Sequence, residues 1–195
     1  MIIDYYKTMK PMKITVLGEG GVGKTTLIKT FVENNFYDKS RQTIAVQFHT
    51  STIQSGNYNY KLQIWDLGGQ EHFKEMGIFK QFCRGSDAAL LCFDSTDIST
   101  LFSLSEWLTF LNPEVPKILV GTKLDLDPFN KDNLEINMFR KKFQCSSAYL
   151  CSSKDVKSVN YLFDKIVQII VNKSNNEKCV AKPQEDHLSE TIILS

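Results

Sequence analysis

The sequence predicts an α/β three-layer sandwich: a mostly parallel sheet of six strands with one antiparallel edge strand, covered on both faces by about five helices. Three observations carry this. Short β-rich or apolar runs alternate with amphipathic helical stretches along the chain. The run Ala88–Phe93 is apolar at every position, the pattern of a strand covered on both faces. Ala45–Gln54 and Tyr58–Trp65 flank the turn signal Ser55-Gly56-Asn57, which reads as a hairpin and supplies the antiparallel pair.

Taken in order, Lys13–Leu17 is a short strand that runs at once into glycines. Thr25–Asn34 reads as a helix with Leu27, Ile28 and Phe31 on one face. The hairpin follows, then the strand Ala88–Phe93. Ser99 is placed to cap a helix carrying Leu101, Leu104, Leu108 and Leu111, stopped by Asn112-Pro113. Lys117–Val120 is the next buried strand, and Leu134–Phe143 a helix with Ile136, Phe139 and Phe143 inward. Ala148–Cys151 is the last strand. Ser158 is placed to cap a final helix whose stripe is Val159, Leu162, Phe163, Ile166, Val167 and Ile170. The organisation expected is an extension over residues 1–12, one domain over 13–171 and a flexible polar tail over 172–195, where periodicity is lost.

Composition excludes several classes. With 195 residues, 42% of them hydrophobic, the chain suffices for one self-supporting core. Lys plus Arg number 23 and Asp plus Glu 22, a net charge of +1. That balance points away from nucleic acid or an anionic membrane as partner. The longest apolar run is far too short to span a bilayer. The five cysteines are scattered, with no CxxC pair. They read as reduced, buried thiols in a cytoplasmic protein, not as a zinc site or disulfide framework.

The strongest chemical signal is Gly18-Glu19-Gly20-Gly21-Val22-Gly23-Lys24-Thr25, which fits G-x-x-x-x-G-K-[ST] between a strand and a helix. Glycines let the backbone wrap a phosphate without Cβ clashes. The bared amides and the helix N-terminus favour a polyanion. Lys24 adds a point charge toward the β- and γ-phosphates, and the Thr25 hydroxyl can ligate Mg²⁺. The sheet is thereby of the P-loop nucleoside-triphosphatase class, with ATPases, kinases and GTPases all still open.

Three further stretches narrow the choice. Asp66-Leu67-Gly68-Gly69-Gln70 follows directly on a strand. Asp66 can hold the metal through water, the Gly69 amide can approach a terminal phosphate, and Gln70 can orient an attacking water. Gly121-Thr122-Lys123-Leu124-Asp125 ends the strand Lys117–Val120. There Asp125 can accept two hydrogen bonds from guanine N1 and N2, a donor pair adenine lacks, and such a site rejects the wrong base by factors on the order of 10⁴. The Lys123 stem can lie along the purine face. Cys151-Ser152-Ser153-Lys154 closes the last strand and offers a backbone N–H to guanine O6.

The ordered set GEGGVGKT, QTIAVQF, WDLGGQE, GTKLD and CSSK resembles the Ras superfamily of small GTPases from Lys13 to about Val171. TIAVQF and WDLGGQE are Rab-like. The resemblance implies GTP/GDP and Mg²⁺ as ligands. It assigns nucleotide contacts to Glu19, Gly20, Gly21, Val22, Gly23, Lys24, Thr25, Thr26, Phe36, Thr43, Gly69, Thr122, Lys123, Asp125, Ser152, Ser153 and Lys154. It assigns the metal to Thr25, Thr43 and Asp66, and catalysis to Gln70, Lys24 and Thr43. Thr43 is then the first-switch threonine, Asp66 to about Met76 the second switch, and Phe36 an edge-on contact to the base. Four departures stand out. Thr122 replaces the Asn that ties the phosphate loop to the base loop. Ser153 replaces Ala, Ala45 replaces the Gly common in Rab proteins, and Ser40 stands where an aromatic closes the first switch. The set WDLGGQ, TKxD and no terminal lipid motif is similar to the septation and mitotic-exit Ras-like GTPases.

The function implied is a monomeric GTP-hydrolysing switch in signalling, trafficking or cell-division control. It would be slow alone, and served by an exchange factor, a GTPase-activating protein and effectors. Thr191-Ile192-Ile193-Leu194-Ser195 offers no prenylation cysteine, and Cys179 is too far inside, so membrane, organelle or spindle contact is expected through partners. Two other classes fit the same residues: a scaffold that holds nucleotide without cycling, and a phosphotransferase. The lack of an Arg-rich lid segment weighs against the second.

Overall fold

The computed structural model describes residues 11–36, 43–55, 57–69, 77–126 and 134–180. Among them are strands β1 (Met12–Leu17), β2 (Val46–Ser55), β3 (Tyr58–Leu67), β4 (Ala88–Asp94), β5 (Lys117–Thr122) and β6 (Ser147–Leu150). They form one six-stranded sheet in the order β2-β3-β1-β4-β5-β6. β2 and β3 pair antiparallel, from Val46 opposite Leu67 to Ser55 opposite Tyr58, and the other neighbours are parallel. The expected sheet, with its one antiparallel pair at the edge, is the observed one. Gly56, the centre of the expected hairpin turn, lies outside the described residues.

The helices are α1 (Lys24–Glu33), α2 (Phe79–Cys83), α3 (Ser99–Phe102), α4 (Leu104–Trp107), α5 (Leu134–Lys142) and α6 (Val156–Val180), with a 3₁₀ turn at Leu108–Phe110. Strand alternation decides which layer each apolar side chain joins. Ile14, Val16, Leu90, Cys92, Ile118 and Val120 face α1 and α6. There the Phe31 and Phe163 rings stack at 3.8 Å, joining the two helices. Leu17, Ala89, Leu91, Phe93 and Leu119 face the opposite layer, which includes Phe79, Leu101, Trp107, Ile136 and Phe143. β4 is buried along its whole length, as a central strand covered on both faces must be.

Four sequence expectations are corrected. The single helix expected from Ser99 is α3, α4 and the 3₁₀ turn in succession. Side-chain hydroxyls of Ser103, Ser105 and Thr109 bond back to the carbonyls of Ser99, Phe102 and Glu106, competing with a regular helix. Ser99 is not the cap: the Asp97 carboxylate accepts from Ser99 N at 3.0 Å. Nor is Ser158, because Asp155 Oδ1 accepts from Lys157 N at 3.1 Å and Ser158 N at 3.3 Å. The polar stretch from Asn172 does not leave the helix, which runs to Val180. Lost apolar periodicity there marks the helix leaving the core. Ser174 Oγ bonds back to Ile170 O at 3.1 Å, and Lys173 Nζ reaches Glu114 O at 2.7 Å. Short α2 carried too little periodicity to be read, its only signal being Phe79 and Cys83 one turn apart, both buried.

The described cysteines Cys83, Cys92, Cys145 and Cys151 are free and buried. Burial pushes the Cys83 and Cys151 thiols up to about 12 and Cys145 to about 11, so they are unreactive packing residues. No helix among the described residues is long and apolar enough to cross a membrane.

Candidate functional site

The C-terminal ends of β1, β3, β4, β5 and β6 lie along one edge of the sheet, and most described residues of the candidate site follow them, while Thr25 and Thr26 lie in α1 and Phe36 and Thr43 between α1 and β2. β1 delivers the chain to Gly18, and α1 begins at Lys24. Gly23 is the helix N-cap at φ 96°, a left-handed conformation that favours glycine, and no side chain caps the helix there. The first-turn N–H groups therefore have no capping side chain at the end where an anion is favoured. Lys24 is 5% exposed, and its ammonium donates to Gly18 O at 2.6 Å and Glu19 O at 2.7 Å. These bonds fold the lysine back across the loop and hold the charge over the backbone turn.

One turn into the site, three oxygens converge. The Thr25 hydroxyl donates to Asp66 Oδ2 at 2.6 Å, and the Thr43 hydroxyl approaches the same oxygen at 3.2 Å. The two hydroxyl oxygens are 2.6 Å apart. Asp66 is fully buried, and its second oxygen, Oδ1, has no hydrogen-bond partner. Burial raises the Asp66 carboxyl above its ordinary range, against the hydrogen bond from Thr25 and the charge of Lys24. A buried carboxylate oxygen without a partner, beside two hydroxyls, fits a small hard cation. No group of three His, Cys, Asp or Glu side chains able to hold a metal occurs among the described residues. Mg²⁺ is an ion of that kind, taking few protein oxygens and completing its shell with water and phosphate.

The base loop is built on β5, β6 and the end of β4. Thr122, 1% exposed, donates its hydroxyl proton to the Val22 carbonyl of the phosphate loop and lies 3.0 Å from Phe93 O. A short hydroxyl thus makes the tie that the resemblance assigns to Asn. Lys123 sits at φ 58° and its ammonium bonds Asp94 Oδ2 at 2.6 Å. Burial alone would raise Asp94, but hydrogen bonds from Lys123 and Thr96 outweigh it and hold the carboxyl below its usual range. Asp125 is held on both oxygens: Ser152 Oγ donates at 2.6 Å and the Lys154 ammonium stands at 2.9 Å. The hydrogen bond from Ser152, then Lys154, lowers its pKa and keeps it an acceptor. Lys154 Nζ is 6.0 Å from the Phe36 ring, which places Phe36 beside the lysine that pairs with Asp125. The Ser153 carbonyl accepts from Thr30 at 3.2 Å, fixing that loop to α1.

A family model described as the Ras family matches residues 13–172. The chain belongs to the Ras family. Among its relatives, the Ras-related protein Rab-4B of Homo sapiens is 36% identical over 166 residues, covering 83% of this chain and 76% of its own length. The Ras-related protein Rab-7b of Homo sapiens is 35% identical over 195 residues, covering 94% and 92%. The Ras-related protein Rab7A of Mesembryanthemum crystallinum is 32% identical over 199 residues, covering 95% and 91%. This Ras-family protein is Rab-like, and its general activity is that of a small GTPase.

Several site residues expected from sequence come together in this Ras-family protein. Thr25, Thr43 and Asp66 form the oxygen cluster, while Asp125, Ser152 and Lys154 form a second group around one carboxylate. Thr26 lies in the first turn of α1. Gly69 lies against the phosphate loop so closely that a Cβ on it would stand 2.0 Å from Gly20 N. Gln70 and the second-switch residues 71–76 lie outside the described residues, as does Ser40. Sequence reasoning missed Trp107, whose indole Nε1 donates to Glu19 Oε1 at 2.9 Å. It also missed Asp94, the partner of Lys123. Neither pairing had a local signal, because the partners lie far apart in the chain, in different loops or elements.

Proposed function

We propose that this Ras-family protein binds GTP and GDP with Mg²⁺, hydrolyses GTP to GDP and phosphate, and acts as a switch in signalling or intracellular trafficking. The observation that carries the reading is the Thr25–Thr43–Asp66 cluster, with its buried, unpartnered Asp66 oxygen, beside the uncapped N-terminus of α1. The Lys24 ammonium and the amides of residues 19–26 would take the phosphates, and Asp125 would accept from guanine N1 and N2. The Lys123 stem and Phe36 would flank the base, with the Ser152–Ser153–Lys154 backbone turned to guanine O6. Thr25, Thr43 and Asp66 would hold Mg²⁺, which would neutralise phosphate charge when bound.

In the reaction a water oxygen bonds to the γ-phosphorus, the bond to the β–γ bridging oxygen breaks, and the water's protons leave on phosphate or to solvent. Gln70 would orient that water, and Lys24 would offset charge on the leaving GDP. Loss of the γ-phosphate removes a ligand from the Thr43 and Gly69 segments, which is how partners would distinguish the two states. An arginine supplied in trans would add roughly 10³ to 10⁵ in rate. An effector surface is supported by exposed apolar area between the two segments. Ile44 is 72% and Phe48 52% exposed, and Phe48 meets the Trp65 ring edge-on at 5.5 Å, with Phe82 beyond it at 5.9 Å. Exchange factor and activating protein would use the same face, and recruitment to an organelle would come through such partners.

Mass identification of the nucleotide released from the purified, denatured protein tests the reading. Guanine nucleotide, together with Mg²⁺-dependent GTP binding that excess ATP does not displace, is the expected outcome. An adenine nucleotide, or equal competition by ATP, overturns it.

A further inference from the structure

Glu19 is the one acidic side chain within Gly18–Thr25, one residue before Gly20. A free carboxylate at that point opposes a polyanion on the adjacent amides. In the structure it is held against the α4 layer, with Trp107 Nε1 donating to Glu19 Oε1 at 2.9 Å. Trp107 is fully buried and fixed on its other sides. It stacks on Phe79 at 5.5 Å and meets Phe110 edge-on at 6.0 Å. Its ring lies 5.8 Å from Lys24 Nζ, the ammonium that takes the Glu19 carbonyl at 2.7 Å. One residue thus orients Lys24 through its backbone while its side chain is held by a rigid indole.

We infer that Trp107 is a positioning residue for triphosphate binding, its indole N–H holding the Glu19 carboxylate out of the phosphate bed. The inference rests on the reading that Gly18–Thr25 cradles a nucleoside triphosphate. The triphosphate carries more negative charge in total than the diphosphate because of its additional phosphoryl group, so a released carboxylate weakens triphosphate binding more. Trp107 acts through Glu19. Its role is therefore visible in the ratio of two affinities and not in either alone.

The test is a cycle of four full-length proteins: wild type, Trp107→Phe, Glu19→Ala and the double variant. Phe keeps the aromatic stack and removes only the N–H donor. Calorimetry with Mg²⁺ gives the affinity of each for a non-hydrolysable GTP analogue and for GDP. Trp107→Phe is expected to lower the triphosphate-to-diphosphate affinity ratio on the order of tenfold, the size of a lost charge-assisted hydrogen bond plus a freed charge. Glu19→Ala in the same background is expected to restore the ratio to within about twofold of wild type, because no carboxylate remains to be held. A merely structural indole would not be rescued by removing its acceptor. An unchanged ratio in Trp107→Phe, or no restoration in the double variant, overturns the inference. Should Trp107→Phe not fold, Trp107→Met, which also lacks the donor, replaces it in the cycle with the same supporting and overturning results. A wild type that binds neither nucleotide overturns the underlying reading instead.

Discussion

Thr122→Val removes one oxygen and almost no volume from the joint between the phosphate loop and the base loop. Both side chains are β-branched and favour a strand, so β5 keeps its shape. The hydroxyl proton that went to the Val22 carbonyl is gone, and the Phe93 carbonyl loses its 3.0 Å neighbour. At 1% exposure no water replaces them. Removing the hydroxyl partner of a buried carbonyl costs about 1 to 3 kcal/mol. A loss of about 2 kcal/mol follows, or about 4 to 8 °C in Tm for a domain of this size. Since Val22 belongs to the phosphate loop, GDP should also dissociate several-fold faster. Urea unfolding at two fixed GDP concentrations separates the intrinsic loss from the ligand's mass-action contribution. A change below about 0.5 kcal/mol with an unaltered GDP off-rate would refute the claim that this hydroxyl joins the two loops.

Lys24→Ala should weaken GTP binding on the order of 100-fold by removing a charge-assisted contact, and a titration matching wild type would contradict the phosphate-site assignment. Gln70→Leu should leave GTP affinity within about twofold and slow single-turnover hydrolysis roughly tenfold or more; equal turnover at saturating GTP removes Gln70 from the mechanism. Asp94 and Asp125 both have carboxyl pKa values below the ordinary range in the folded protein. Their contribution to stability is therefore complete above the unfolded value of about 3.9 and is lost as pH falls through their lower folded values. Asp66, raised by burial, has the opposite sign. Denaturant midpoints from neutral pH into this acid range should fall less steeply in Asp94→Asn than in wild type, and parallel curves would count against the Lys123–Asp94 pair.

Elements with a long periodic pattern were legible in the sequence. The stripe of Val159, Leu162, Phe163, Ile166, Val167 and Ile170 is the buried face of α6, and Ala88–Phe93 is the central strand. Boundaries were less so, since caps come from Asp97 and Asp155, which precede the serines that local rules favour. In the site, the spacing of G-x-x-x-x-G-K-T marks a phosphate loop because its function is local backbone geometry. The Trp107–Glu19 bond spans 88 positions and the Lys123–Asp94 pair 29, and nothing in either neighbourhood announces the other. Thr122 is a third kind of case. Its departure from the resemblance reads as a loss until the Val22 carbonyl is seen within its reach.

The β2–β3 pairing extends past the strands into Thr43–Ala45 and Gly68–Gly69. The ladder places Val46 opposite Leu67 and Gln47 opposite Asp66. Beyond it the Gly68 N–H donates to Ala45 O at 2.7 Å, and the Thr43 hydroxyl reaches Asp66. Ala45 takes φ 57° to present that carbonyl, a conformation that costs an L-residue about 1 kcal/mol or more and is free to glycine. The two segments are therefore one hydrogen-bonded unit, held on one side by strand pairing and on the other by Gly69 pressed against Gly20. Thr43 is thus tied to Asp66 through its side chain, and Ala45, two residues on, to Gly68 through its backbone. Such a unit has few intermediate arrangements, since breaking the Gly68–Ala45 bond alone leaves a peptide pair unsatisfied. On the proposed function, that coupling is what would let loss of one phosphate act on Thr43–Ala45 and Gly68–Gly69 together.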